Sequence, residues 1–138
     1  MLKQRNIEGR TEIFDPIRKK WVSFTEEEKV RQLFILFMIQ EKKIPATHIS
    51  IEKKIIVNGL EKRYDIVVYN RKGQVALVVE CKAPSVPITQ AVLEQVGNYN
   101  KELLAPTIGV TNGKVHYFFA INFETSHIQL LNDFPSIN

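Results

Sequence analysis

Val75-Ala76-Leu77-Val78-Val79 carries no polar side chain for five consecutive residues, and Glu80-Cys81-Lys82 follows at once. Successive side chains of a strand point to opposite faces, so a strand of this composition has to be covered on both. That excludes an open sheet with one solvated face and asks for a helix on each side of a central strand. Two stretches can supply them. Thr25 is followed three residues later by Glu28, a capping-box pattern that opens a helix. Val30, Leu33, Phe34 and Phe37 then recur at i, i+3, i+4 and i+7. A second row, Glu28, Gln32, Ile35 and Ile39, lies on another face, so this helix is expected to be buried on more than one side. The other helix runs roughly from Thr89 to Leu104, with Val92, Val96, Tyr99 and Leu103 at helical spacing.

Between the helices lie short β-prone runs. Ile49–Val57 and Lys62–Tyr69 are joined through Asn58-Gly59, a strong hairpin signal. Residues 70–74 form a second turn into Val75–Lys82, and the prolines of residues 83–87 end that strand. "PTIGVT", the turn at Asn112-Gly113 and "KVHYFFAI" give two further strands. Residues 14–24, with Pro16, form an irregular or hairpin-like lead-in. The order α-β-β-β-α-β-β specifies an α/β fold, a mixed sheet flanked by helices. A chain of 138 residues fits one domain over 1–138, its core at about 25–120 between the lead-in and a short C-terminal tail.

Composition narrows the function classes. A 44% hydrophobic and 25% charged chain is an ordinary globular one. Its single cysteine, Cys81, forms no internal disulfide and fits a reducing, cytoplasmic setting. The charged N-terminus is no secretory signal, and the apolar run Leu33–Ile39 falls short of the ~20 residues that span a bilayer. Membrane association is not expected. The net charge of +4 permits a polyanionic partner. Lys53, Lys54, Lys62 and Arg63 cluster around the Asn58-Gly59 hairpin as candidate DNA-binding residues, although each alone reads as a solvated surface charge.

Glu80 and Lys82 share one strand face, and Cys81 takes the other. Asp65 is the single carboxylate in the preceding strand. With Lys72-Gly73 as a two-residue loop, counting outward places Asp65 directly opposite Glu80. A loop one residue longer or shorter reverses the face. Two opposed carboxylates repel unless a cation lies between or beside them. A hard divalent ion held by Asp65 and Glu80, with Lys82 alongside, is the arrangement phosphodiester hydrolysis needs. Glu80–Lys82 alone would be a surface ion pair of at most about 1 kcal/mol.

Asp65 followed by Glu80-Cys81-Lys82 on a hairpin between two helices resembles the PD-(D/E)XK nuclease superfamily. "TEEEKVRQLFI", "LEKRYDIVVYNRKGQVALVVECKAPSVPITQ", "QVGNYN" and "IGVTNGKVHYF" are more closely similar to the N-terminal nuclease domain of type I restriction enzyme R subunits. The resemblance implies a restriction-endonuclease-like αβββαβ core that binds DNA and cleaves it with Mg²⁺, or Mn²⁺ in its place. Asp65 and Glu80 would be metal ligands, Lys82 the catalytic lysine and the Cys81 main-chain carbonyl a further ligand. Glu28 matches the position of a first-helix glutamate that approaches the metal. Gln95 and Tyr99 match a Q-x-x-x-Y motif. Tyr64 stands where a proline commonly precedes the aspartate. A separate motor or specificity subunit is an expected partner, since no G-x-x-x-x-G-K-[ST] phosphate loop occurs here.

Competing duties exist for several of these residues. Glu28 also completes the cap with Thr25, and Tyr99 continues an apolar helical row, with Gln95 at its edge. Cys81 reads as a small core residue and Trp21 as a packing anchor. His48, His116 and His127 share no metal-ligand spacing. The alternative to an active nuclease is a nuclease-fold module that binds DNA or docks a partner with weak or no catalysis.

Overall fold

The computed structural model describes residues 2–137, except the side chains of Lys53, Ile55 and Val57. Three short strands come first, β1 (Gln4–Ile7), β2 (Arg10–Asp15) and β3 (Lys20–Ser23), then α1 (Glu26–Gln40). A single 3₁₀ turn, Ala46–His48, leads to β4 (Ile49–Val57), β5 (Leu60–Tyr69) and β6 (Val75–Cys81). After these come α2 (Gln90–Leu103), β7 (Thr107–Thr111), β8 (His116–Asn122) and β9 (His127–Leu131). The first three strands form their own antiparallel sheet. The other six form a mixed sheet in sequence order β4 to β9, with β6–β7 its one parallel pairing. A parallel pairing needs a long crossover, and α2 is that crossover.

The apolar run of β6 is covered on both faces. Ile66, Val68, Leu77, Val79 and Cys81 pack with Val30, Phe34, Ile35 and Met38 of α1. Val67, Val78, Ile108 and Val110 pack with Val96 of α2 on the opposite face. Both helix starts follow the capping rule: Thr25 Oγ1 accepts from the Glu28 amide and Thr89 Oγ1 from the Val92 amide. Of the α1 row Val30, Leu33, Phe34 and Phe37, only Val30 and Phe34 are buried, whereas Glu28, Gln32 and Ile35 of the second row are buried together.

The lead-in is a sheet of three strands rather than a single hairpin, and the expected C-terminal tail adds β9 alongside β8. Both stretches consist of short strands, four to six residues each, which hides them from a periodicity count. The turn between β5 and β6 also differs from the two-residue loop. The Asn70 amide bonds the Gln74 carbonyl, leaving three residues between them, with Gly73 at φ +77°. A β-bulge beside Tyr69 then shifts the register by one. The two deviations cancel, and Ile66 pairs with Val79 as the simple count requires.

Candidate active site

The β5–β6 ladder ends at Ile66↔Val79, one residue short of Asp65 and Glu80. Beyond that point the Asp65 side chain takes over from the backbone: its Oδ2 accepts the Cys81 amide proton at 2.7 Å. Face alternation breaks here too. Ile66 belongs to the α1-side core and Tyr64 to the α2-side core, although residues two apart on a regular strand share a face. On the partner strand, Glu52 stands opposite the break with φ +54°. Asp65 thus sits at the sheet margin, where β5 parts from β6, and reaches groups on either side.

The first of these is Glu80. Burial, and then the Asp65 charge with its hydrogen bond, push the Glu80 carboxyl up to about 8, against the pull of Lys82. The Lys82 ammonium lies 3.4 Å from Glu80 Oε1. Three of the residues singled out in the sequence are therefore together: Asp65, Glu80 and Lys82. Cys81 is fully buried in the α1-side core, and burial followed by the Asp65 charge raises its thiol above the ordinary range. It packs as a small apolar residue.

The second group is Arg31, which the sequence reading did not single out. Its Nη2 donates to Asp65 Oδ1 at 2.9 Å and its Nη1 to Glu28 Oε1 at 2.8 Å. Burial disfavours the Arg31 charge, but Asp65 and Glu28 outweigh it and hold the pKa above its ordinary value. The signal was an arginine one turn before Phe34 and Ile35 on the buried face of α1, since a buried guanidinium has to be paired.

Glu28 itself is not placed on the Asp65–Glu80 pair. Its carboxylate is taken by Arg31, by Arg18 Nη2 at 3.2 Å and by the Gln32 amide at 3.1 Å. The α1 carboxylate on the open side of the site is Glu27. Burial and then Asp65 raise its pKa, while Arg31 and Lys82 lower it. Glu27 and Arg31 are i and i+4, on one stripe of α1, with 3.9 Å between their charged atoms. Among the described residues no group of three or more His, Cys, Asp or Glu is arranged as a metal cage. The carboxylates that meet at this strand end are those of Asp65 and Glu80.

A family model for the type I restriction enzyme R protein N terminus (HSDR_N) matches residues 26–135. The chain belongs to that family. Its fold matches a fragment structure from Vibrio vulnificus YJ016, assigned as an HsdR subunit of a type I restriction enzyme. The TM-score is 0.52 at 23% identity, over 82% of this chain and 24% of that one. The chain thus spans about a quarter of the length of the structure it resembles. No curated protein matches it. The resemblance and the restriction-endonuclease-like mixed α/β fold read from the sequence are both borne out.

In this R-protein N-terminal domain, Gln95 and Tyr99 contact each other: the Gln95 amide donates to the Tyr99 hydroxyl at 3.0 Å. The Tyr99 ring stands edge-on to Tyr64, 6.2 Å between centroids, and the Tyr64 hydroxyl donates to the Tyr99 carbonyl. Among the described residues neither makes a hydrogen bond to Asp65, Glu80 or Lys82; the pair supports the strand beside Asp65. Of the basic cluster, Lys62 lies 5.9 Å from the Tyr99 ring centre. Lys54 pairs with Glu61 at 3.4 Å and Arg63 with Glu52 at 3.5 Å. The Lys53 side chain lies outside the described residues. No helix among the described residues is long and apolar enough to cross a membrane.

Proposed function

We propose that this chain is a Mg²⁺-dependent endodeoxyribonuclease domain of a restriction system, hydrolysing DNA phosphodiester bonds through Asp65, Glu80 and Lys82. The observation that carries the reading is the meeting of Asp65, Glu80 and Lys82 where β5 and β6 separate. The donor set suits a hard cation. Burial and Asp65 leave the negative charge of Glu80 so poorly compensated that its carboxyl titrates at about 8, and Mg²⁺ needs only one or two carboxylates with the remaining positions filled by water. Asp65, Glu80 and the Cys81 carbonyl would hold Mg²⁺, or Mn²⁺, which when bound polarises the phosphodiester and lowers the pKa of a bound water. Glu27 takes the α1 role first assigned to Glu28, because the carboxylate of Glu28 already accepts from two arginines and an amide.

The chain's own groups divide the remaining work. Arg31 and the Cys81 amide fix the Asp65 carboxylate through one hydrogen bond to each oxygen. A carboxylate offers about four lone-pair positions, so both oxygens retain a free one. The Lys82 ammonium orients the attacking water and offsets charge on the phosphate as the P–O bond breaks. DNA is the substrate, and a motor or specificity subunit the partner that directs cutting.

The test is nicking of supercoiled plasmid with Mg²⁺ or Mn²⁺. Asp65→Asn, Glu80→Gln and Lys82→Ala should each lower the rate on the order of 100-fold or more. A chain that shows no metal-dependent cleavage, or three variants that cut like wild type, would overturn the proposal. One observation favours a second reading, a DNA-binding module without efficient chemistry: Asp65 already has Arg31 and an amide as partners. Salt-sensitive DNA binding without cleavage would select it.

A further inference from the structure

The β5–β6 pairing ends at Ile66, but the β4–β5 pairing continues through Lys53↔Tyr64 to Val57↔Leu60. The two strands therefore leave the sheet beside Asp65 as a free two-stranded arm. From Asp65 to Leu60 is five residues, about 17 Å at the rise of an extended strand. Asn58 and Gly59 close its end with φ +52° and +77°, the conformation of a tight type I′ turn, so the tip is narrow. Packing of Tyr64 against Tyr99 fixes the base of the arm.

The side chains along the arm fall into two sets. Lys54, Lys62 and Arg63 line its shaft; the two ion pairs they make are solvent-exposed and weak. Beyond them the tip is apolar and bare, with Ile56 62% and Leu60 61% exposed. The register puts Ile56 opposite Glu61 and Leu60 opposite Val57, so the two apolar side chains project from opposite faces of the ribbon. A sheet edge meeting a flat protein partner needs its apolar groups on one face. A ribbon inserted between two walls needs them on both, with positive charge further back.

We propose that the β4–β5 arm enters a groove of duplex DNA beside the scissile phosphate, Ile56 and Leu60 packing on sugars and base edges while Lys54, Lys62 and Arg63 meet the flanking backbones. The inference rests on DNA being the substrate of the Asp65–Glu80–Lys82 site. A two-stranded ribbon fits the major groove, and apolar tips are a recurrent means of gripping a duplex.

The experiment measures fluorescence anisotropy of a labelled 20-base-pair duplex with the full chain in EDTA, where cleavage cannot intervene, across a series of salt concentrations. Ile56→Ser with Leu60→Ser should weaken binding about tenfold or more, from lost apolar burial. It should leave the slope of log affinity against log salt unchanged. Lys54→Ala with Lys62→Ala should weaken binding and reduce that slope by about 2. Lys54, Ile56 and Leu60 are exposed and Lys62 is half-buried, and circular dichroism checks that the variants are folded. Wild-type affinity in the Ile56/Leu60 variant would overturn the proposal, and a simultaneous loss of self-association in sedimentation would reassign the tip to a protein interface. Arm-dependent binding by a chain that never cuts DNA would uphold the arm and fail the nuclease. Cutting with the tip variant unaffected would do the reverse.

Discussion

Glu80 is the residue whose chemistry is most exposed to test. Its carboxyl titrates at about 8 in the folded chain against an ordinary value of 4.5, because of burial first and Asp65 second. Between those values the folded, metal-free chain holds a proton that the unfolded chain has lost. Stability must therefore fall as pH rises from about 4.5 towards 8. The raised Glu27 adds to the loss with the same sign. In urea titrations with EDTA, the wild-type midpoint should be lower at pH 8 than at pH 5, and Glu80→Gln should flatten the difference. A midpoint that climbs over this window, or an unchanged slope in Glu80→Gln, would mean that Glu80 ionises freely in the folded chain. The α1 residues teach a related lesson. The capping pattern and the family resemblance pointed to Glu28, and Glu27 carried no signal of its own. The choice is made by Arg31, four residues after Glu27, and by Arg18, which reaches Glu28 from the β2–β3 turn ten residues upstream.

At the scale of elements, much of the fold was legible because local rules and the global arrangement agree. Thr25 and Thr89 cap the helices, Asn58-Gly59 turns the hairpin, and the unbroken apolar run of β6 is covered twice. The opposition of Asp65 and Glu80 was legible for a less secure reason. The loop holds one residue more than the count assumed, and a bulge beside Tyr69 restores the register. Neither deviation has a sequence marker strong enough to read alone. The break in alternation at Asp65 was not legible at all, since it depends on β5 parting from β6. Further along, β7 pairs with β8 and Gly109 faces the Phe118 ring: a Cβ at residue 109 would lie 2.8 Å from the ring. Gly109→Ala should therefore cost about 1–3 kcal/mol by overpacking. The urea midpoint measures it, and a neutral result would mean that Phe118 moves aside freely.

Across the whole molecule, the small N-terminal sheet is tied to the site by charge rather than by strand pairing. Asp15, fully buried at the end of β2, pairs with Arg18, and Arg18 continues to Glu28 at 3.2 Å and Glu52 at 3.5 Å. Arg31 then joins Glu28 to Asp65. Arg18→Met leaves Asp15 and Glu28 each short of a cation, and breaking a buried pair in this way costs about 3 kcal/mol. That loss should appear as a lowered denaturation midpoint, and a change near zero would show that the first sheet is not coupled to α1. The single parallel step has a wider consequence. Every other strand pairing in the large sheet is antiparallel across a short turn, so β6–β7, joined through α2, is a seam between two locally zipped halves of the chain. Glu27, Arg31, Asp65, Glu80 and Lys82 all come before that seam. The residues of the candidate site thus lie in one contiguous stretch of the chain, and the second half buttresses that stretch through the β6–β7 pairing.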